Sequence, residues 1–179
     1  MSEPVSQIYP EILAQAAELR QRDALINIDE EQVQLLIFRL LEHTFAIPGA
    51  HVRELLPAGE IVPVPGSSPL FLGVIPVRGE IASVLDLARL LQLPPGTSAT
   101  AHNRSSRILI VQKEEMSTGM LVDAVEEIRE FPKSAVQTQQ ASLNTLLEKL
   151  SQGQLLFNHQ PTPLLDIAKL FQYLQELCA

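Results

Sequence analysis

The sequence of 179 residues contains no tryptophan, one cysteine, six phenylalanines and two tyrosines. A single cysteine, Cys178, cannot form an intrachain disulfide, so nothing in the chain points to an oxidising compartment. No apolar run approaches the roughly 18 residues that a membrane helix needs. The first residues also lack the basic and apolar segments of a secretory signal. We therefore expect a cytoplasmic protein without direct membrane insertion.

Basic residues are scarce as well. The chain carries 13 lysines and arginines against 21 aspartates and glutamates, which gives a net charge of −8. Binding to a phosphate backbone needs clustered Lys and Arg side chains, and the sequence contains no such cluster. We expect no nucleic-acid partner.

Motifs that carry chemistry are also missing. The sequence has no Gly-x-Ser-x-Gly elbow, no phosphate-binding loop and no dinucleotide fingerprint. Its histidines lie far apart, without a second ligand at metal-binding spacing: His43, His51, His102 and His159. We expect no enzymatic activity, no metal site and no cofactor.

Three aspartates stand among apolar residues and invite an acid–base hypothesis: Asp86, Asp123 and Asp166. Asp86 and Asp166 each lie between a predicted strand and a predicted helix, where a short acceptor side chain caps the first helical turn. We interpret both as helix caps. The role of Asp123 stays open at this stage. None of the three is followed by the Thr/Ser-Gly pair of an aspartic protease.

The organisation of the chain is that of a mainly β protein with a helical start. Residues 8–22 predict an amphipathic helix within an N-terminal extension, residues 1–33. Short apolar runs separated by Gly and Pro then predict strands, at 34–41, 44–47, 51–56, 73–77, 80–85, 107–112, 118–122, 126–131, 154–157 and 162–165. The first two form a hairpin that turns at Glu42 and His43. Short helices are predicted at 87–93, 143–150 and 167–177.

An internal repeat divides this β region. Leu85–Gln92 (LDLARLLQ) matches Leu165–Gln172 (LDIAKLFQ) 80 residues later, and Val52–Leu55 matches Ile128–Phe131 76 residues later. Two matches in the same order and at similar spacing indicate two related β units. We place the first at about 34–93 and the second at about 107–177, joined by a polar linker, residues 94–106.

One cation stands out in the first unit. Arg78 lies between two apolar strands and precedes Gly79, which can adopt the positive φ of a tight turn. Arg78 could be a solvated turn residue. It could equally pair with Glu54 and rigidify a surface between strands.

At these residues the sequence resembles the CheW family, the adaptor proteins of bacterial chemotaxis-type signalling. The family pattern is matched by an ordered series of short segments: Phe45-Ala46-Ile47, Val52-Arg53-Glu54-Leu55, Gly73-Val74, Arg78-Gly79-Glu80-Ile81, Val84-Leu85-Asp86-Leu87, Gly119 to Val125 and Leu164 to Phe171. The match covers about residues 34–174, within a CheW-like domain that we place at 34–177.

The resemblance implies two packed SH3-like five-stranded β-barrels and no enzymatic activity. It also implies two partners, a CheA-type histidine kinase with a regulatory domain of the same fold and the cytoplasmic tip of a methyl-accepting chemoreceptor. Such a protein would be recruited to membrane receptor arrays. By motif, the partner-binding residues would be Val52, Glu54, Gly73, Arg78, Gly79 and Gly119. Each could also be structural, Val52 as a core residue and the glycines as turn formers.

Two positions depart from the family pattern, with Pro76 in place of an asparagine and Ser83 in place of a proline. These departures and the long N-terminal extension indicate a divergent pathway, such as pilus-based motility. The extension's helix could pack on its own barrel or dock another protein. An alternative function is a small-molecule sensor that uses the groove between the barrels.

Overall fold

The computed structural model describes residues 30–94, 104–138 and 144–178. The helix predicted at 8–22 lies outside these residues, as does most of the linker predicted at 94–106.

Strands dominate the described residues. They are β1 (Gln32–Leu40), β2 (His43–Pro48), β3 (Val52–Pro57), β4 (Phe71–Val77), β5 (Glu80–Leu85), β6 (Arg107–Lys113), β7 (Met116–Val122), β8 (Ala124–Pro132), β9 (Ser151–Phe157) and β10 (Gln160–Leu165). The helices are α1 (Leu87–Leu90), α2 (Thr145–Leu150) and α3 (Ile167–Cys178). Short 3₁₀ turns follow β2 and β8, at Gly49–His51 and Lys133–Ala135.

These strands form two five-stranded sheets, which confirms the mainly β class. The first sheet has the order β8-β1-β2-β10-β9, and the second has the order β3-β6-β7-β5-β4. In the described part of the chain, each hydrogen-bonded ladder ends at two edge strands. In the described residues, the two five-stranded units that we expect as SH3-like β-barrels are thus present as two five-stranded sheets.

Each sheet combines strands from both halves of the chain. The hairpin β1–β2 lies in the first sheet beside β8, β9 and β10, and the hairpin β6–β7 lies in the second sheet beside β3, β4 and β5. The two strand orders correspond position by position: β8 corresponds to β3, β1 to β6, β2 to β7, β10 to β5 and β9 to β4. The predicted units at 34–93 and 107–177 thus each contribute to both sheets.

The two copies of the repeat occupy corresponding places. The Asp86 N–H donates to the Leu70 carbonyl at 2.8 Å, and the Asp166 N–H donates to the Leu150 carbonyl at the same distance. The two donors, Asp86 and Asp166, are 80 positions apart in the sequence, and so are the two acceptors, Leu70 and Leu150. The repeat therefore marks the same strand-to-helix junction in each sheet.

The long apolar runs of β1 and β6 follow from burial on both faces. In β1, Leu36 and Phe38 face a large cluster shared by both sheets, whereas Leu35 and Ile37 face a smaller cluster in the first sheet. In β6, the shared cluster contains Leu109 and Val111, and a cluster of the second sheet contains Ile108 and Ile110. One central core thus joins the two sheets, and each sheet covers a further core of its own.

Candidate functional site

The most distinctive surface feature is the turn that joins β4 and β5. Val77 pairs with Glu80 in register, so Arg78 and Gly79 are the two central residues of a two-residue hairpin loop. Their φ angles are 49° and 86°, as in the type I′ turns that match the twist of a hairpin. Glycine adopts this conformation readily, but an arginine with positive φ is uncommon. The backbone thus holds Arg78 at the tip of the hairpin at some conformational cost.

The Arg78 side chain reaches across to β3 and pairs with Glu54. Its Nε and Nη2 both donate to Glu54 Oε1 at 3.2 Å, and Nε also lies 3.2 Å from Oε2. β3 and β4 are the two edges of the second sheet, so this ion pair links opposite edges. The structure thus contains the pair with Glu54, although Arg78 is at the same time a solvated turn residue.

Stability alone does not explain this ion pair. The Arg78 side chain is 77% exposed, whereas the Glu54 side chain is 19% exposed. A pair with one partner so well solvated contributes at most about 1 kcal/mol to folding. The arrangement leaves most of the Arg78 side chain exposed to solvent while Glu54 holds its guanidinium.

The first sheet provides an internal comparison. There Glu130 corresponds to Glu54, and Asn158, with a φ of 49°, corresponds to Arg78. No ion pair joins these two positions in the part of the chain that the structure describes. Instead, the Arg129 guanidinium lies 4.6 Å from the centre of the Phe131 ring. The fold therefore forms the same hairpin without an arginine at its tip.

Exposed apolar side chains lie close to Arg78 in the sequence and on the edge strands. Ile81 is 78% exposed and pairs in register with the exposed Pro76 of the edge strand β4. Leu55 of β3 is also exposed. Neither Ile81 nor Leu55 is among the partner-binding residues expected from the sequence, because strand alternation in this stretch does not reveal which face lacks a neighbour.

The other three predicted site residues are closely packed against neighbouring parts of the chain. Val52 is half-buried against the shared core. Gly73 has a φ of 150°, and a Cβ there would lie 2.2 Å from the Val62 carbonyl oxygen. Gly119 is buried in β7, where a Cβ would lie 2.8 Å from Ile108 Cγ2. The structure therefore brings Glu54, Arg78 and Gly79 together at the surface, whereas Val52, Gly73 and Gly119 pack against the core and neighbouring strands of the second sheet.

The three aspartates have structural contacts. The Asp86 carboxylate accepts from the Arg89 N–H at 3.0 Å, and the Asp166 carboxylate accepts from the Lys169 N–H at 3.2 Å, so both cap their helices as predicted. Asp123, which the sequence left open, accepts from the Leu41 N–H and donates its own N–H to the Arg39 carbonyl at 2.9 Å. It therefore fastens the β1–β2 turn to the β7–β8 junction.

Over residues 30–94, 104–138 and 144–178, no three His, Cys, Asp or Glu side chains group as metal ligands. None of the helices in these ranges is long and apolar enough to cross a bilayer.

Comparison with known proteins agrees with this architecture. Residues 34–175 match the family model for the CheW-like domain. A probable chemotaxis protein CheW from Rhizobium etli is 26% identical over 148 residues, which cover 83% of this chain and 93% of that protein. Protein PilI from Pseudomonas aeruginosa is 28% identical over 116 residues, 65% of this chain and 63% of its own length.

A solved structure shares the fold. The scaffolding protein TtCheW from Thermoanaerobacter tengcongensis superposes with a TM-score of 0.67 at 20% identity, over 76% of this chain and 90% of that one. The family match, the chemotaxis relatives and the two-sheet fold lead to one assignment. The chain belongs to the CheW-like domain family, whose members are chemotaxis-type scaffold adaptors and not enzymes.

Proposed function

We propose that this chain couples the cytoplasmic tip of a methyl-accepting chemoreceptor to a CheA-type histidine kinase, in chemotaxis-like or pilus-motility signalling. The observation that carries the proposal is the Arg78–Glu54 pair, a solvated cation held in a fixed position by a half-buried carboxylate. Adaptors that assemble transiently use modest surfaces of mixed polar and apolar character. Arg78, Glu54 and Gly79, flanked by Ile81 and Leu55, form such a surface.

The internal comparison supports a binding role for Arg78. The helix caps Asp86 and Asp166 recur in both sheets because the fold needs them. The Arg78–Glu54 pair occurs in the second sheet, whereas the corresponding hairpin of the first sheet forms with Asn158. Because the first sheet forms the corresponding hairpin without such an ion pair, the fold does not require the Arg78–Glu54 pair, and the pair is available to recognise a partner. Val52, Gly73 and Gly119 would then act by shaping the strands that present this surface.

The exposed apolar pairs suggest where the kinase docks. Ile81 faces Pro76 on the β4–β5 hairpin, and Leu156, 63% exposed, faces Pro161 at the corresponding place on β9 and β10. Exposed aliphatic side chains of this size favour protein contacts. A partner of the same duplicated fold would present similar hairpins, so we place the contacts with the kinase regulatory domain at these two positions. Recruitment to membrane receptor arrays would follow from the receptor contact.

The finer architecture is part of the same proposal. Val62 forms an isolated antiparallel bridge with Val74, and Gln137 forms one with Gln154. Val62 follows the edge strand β3, and Val74 lies in the other edge strand of that sheet, β4. Gln137 likewise follows the edge strand β8, and Gln154 lies in the other edge strand, β9. Each bridge therefore connects the two edges of one sheet. This connection supports a description of each sheet as a partly open SH3-like barrel, as in the fold that the family implies.

The experiment is a co-sedimentation assay with a chemoreceptor cytoplasmic fragment and a CheA-type kinase from the same organism. We expect Arg78→Glu to reduce co-sedimentation at least tenfold while lowering the melting temperature by no more than about 4 °C, and Lys149→Glu to have no effect on co-sedimentation. Lys149 is the matched control because it is exposed on α2 and its reversal changes the net charge equally. Equal assembly by the Arg78→Glu protein would refute the proposal.

A charge swap separates a direct contact from a positioning role. If Arg78 touches the partner, Glu54→Arg combined with Arg78→Glu restores the intramolecular pair but not assembly. Rescue by the double variant would show that the pair acts only by holding the hairpin.

The small-molecule sensor remains an alternative prediction. A ligand that binds the native state raises its melting temperature. A metabolite screen followed by melting curves therefore tests this alternative directly.

A further inference from the structure

The β4–β5 hairpin is joined to its neighbour β7 only near its base. β5 pairs with β7 in register at Val84 and Leu85, and in the described residues this pairing does not extend to Ile81 near the tip. One face of the hairpin packs on the second sheet's own core through Val77 and Ala82. Since side chains alternate along a strand, the exposed Ile81 lies on the opposite face. On the β7 side, a short backbone ladder thus holds the whole hairpin.

A pair of hydroxyl groups extends this junction by one position. Ser83 Oγ lies 3.0 Å from Thr118 Oγ1, and the Thr118 hydroxyl also lies 3.2 Å from the Ser83 carbonyl oxygen. Both contacts are satisfied when Thr118 donates to the carbonyl and Ser83 donates to Thr118. Thr118 is 3% exposed and Ser83 is half-buried. The next residue on β7, Gly119, permits the close approach, since a Cβ there would lie 3.2 Å from the Ser83 carbonyl oxygen.

The first sheet forms the corresponding junction without hydroxyl groups. The corresponding parallel pairs of the two sheets are Leu164–Ala46 and Val84–Gly119. One residue earlier on each strand of the first sheet are Pro163 and Phe45, and neither side chain carries a hydroxyl. Phe45 is fully buried and stacks on Phe38, with ring centroids 5.9 Å apart. The fold can therefore build this junction from apolar groups, and it does not require the Ser83–Thr118 pair.

Hydroxyl pairs and apolar contacts constrain a strand in different ways. Apolar contacts are non-directional, whereas a hydrogen bond between hydroxyls needs a narrow range of distance and angle. The Ser83–Thr118 contact therefore restricts the angle at which the hairpin leaves the sheet. The packing of Val77 and Ala82 on the core does not impose such a restriction.

We propose that Ser83 and Thr118 are positioning residues for the β4–β5 hairpin. Their hydroxyl pair fixes the orientation of residues 77–82, and thereby the place at which Arg78 and Ile81 meet a partner. The apparent affinity of a binding surface falls with the fraction of molecules in the binding-competent orientation. The contact with a partner rests on the proposed function, but the orientation of the hairpin does not.

The orientation is tested without a partner, by amide residual dipolar couplings of the full chain in NMR. In the native chain, we expect the couplings of residues 77–82 to fit the same alignment as those of β6 and β7. Thr118→Val nearly keeps the shape of the side chain but removes its hydroxyl, so the couplings of residues 77–82 should leave this alignment while those of β6 and β7 stay. Couplings that stay unchanged throughout would overturn the proposal. If Thr118→Val fails to fold, Ser83→Ala, at the half-buried position, decides.

The co-sedimentation assay then separates positioning from stability. Thr118→Ser keeps the hydroxyl and loses a buried methyl group, so we expect it to assemble even though its melting temperature falls. Thr118→Val should weaken assembly about tenfold, as when about a tenth of the molecules has the competent orientation. Ser151→Ala is the matched control, because it removes another buried hydroxyl, which donates to the Leu147 carbonyl at 2.7 Å, and it should assemble normally. Assembly that follows the melting temperature instead of the hydroxyl would overturn the positioning role.

Failure of this proposal is distinguishable from failure of the proposed function. If Arg78→Glu assembles as well as the native chain, the proposed function is wrong, and the dipolar couplings still decide whether Ser83 and Thr118 orient the hairpin. If Arg78→Glu abolishes assembly but Thr118→Val assembles normally, the binding surface stands and the positioning role is overturned.

Discussion

Gly73 approaches Val62 so closely that a Cβ on Gly73 would lie 2.2 Å from the Val62 carbonyl oxygen. Val62 forms two hydrogen bonds with Val74, the residue after Gly73: the Val62 N–H donates to the Val74 carbonyl at 2.9 Å, and the Val74 N–H donates to the Val62 carbonyl at 2.8 Å. Gly153 has a similar relationship with Gln137, at 2.7 Å. At both positions, the absence of a side chain lets the segment that follows one edge strand form hydrogen bonds with the other edge strand of the same sheet.

Gly73→Ala should therefore destabilise the protein strongly. The substitution adds a clash with backbone and forces a φ of 150° on a residue with a Cβ, which together cost at least about 2 kcal/mol. Gly153→Ala should cost less because its φ is ordinary, and Gly59→Ala should be near neutral because nothing lies within 4 Å of the added Cβ. Urea denaturation ranks the three. Equal stabilities for the Gly73 and Gly59 variants would contradict the close approach.

Asp86→Ala and Asp166→Ala should each lower the free energy of unfolding by about 1 kcal/mol through loss of the helix cap. Asp86→Asn should retain most of the stability, because asparagine caps as well as aspartate and the exposed contact with Arg89 at 3.7 Å adds little. Thermal denaturation of the three variants checks this. An Asn variant as unstable as the Ala variant would assign the effect to the ion pair instead.

These caps were predictable because they depend on local sequence. The aspartate, the apolar helix positions that follow it and the preceding strand all lie within a few residues. The exchange of hairpins between the two sheets was not predictable, since it depends on contacts between residues such as Ala46 and Leu164, which are far apart in the chain. The repeat indicated the duplication but not which copy pairs with which.

The candidate site was predictable in part. Arg78 and Gly79 stood out as a turn, and the pair with Glu54 was one of two open interpretations. The exposure of Ile81 could not be inferred, because β5 meets β7 only at Val84 and Leu85 and leaves Ile81 beyond that pairing.

The first turn was predicted at Glu42 and His43, but it lies at Leu41 and Glu42. A leucine with positive φ is not expected from sequence and depends on Asp123, 82 residues away.

Asp123→Ala should consequently destabilise the first hairpin turn. The Leu41 N–H loses its acceptor in a partly buried place, at a cost of about 1–3 kcal/mol. Adding Leu41→Gly relieves the positive φ, although it also removes an apolar side chain that packs against the shared core. Amide hydrogen exchange at Leu41 provides the direct measurement. Exchange that stays as slow as in the native chain would exclude the Asp123 carboxylate as the acceptor.

Arg78→Asn should stabilise the fold while weakening function. Asparagine tolerates the left-handed conformation better than arginine, and Asn-Gly is a favoured type I′ sequence. We expect a gain of a few tenths of a kcal/mol, offset in part by loss of the solvated ion pair. Chemical denaturation measures the stability, and the co-sedimentation assay measures the function. A clear loss of stability would mean that the Arg78–Glu54 pair serves mainly to hold the fold together.

The most direct test of the adaptor role is the autophosphorylation rate of the kinase, measured in the presence of the receptor fragment with and without this chain. We expect the receptor to change the kinase rate only when the chain is present, and we expect the folded Arg78→Glu protein to be unable to replace it. Receptor control of the kinase without the chain, or undiminished control with Arg78→Glu, would contradict the adaptor role.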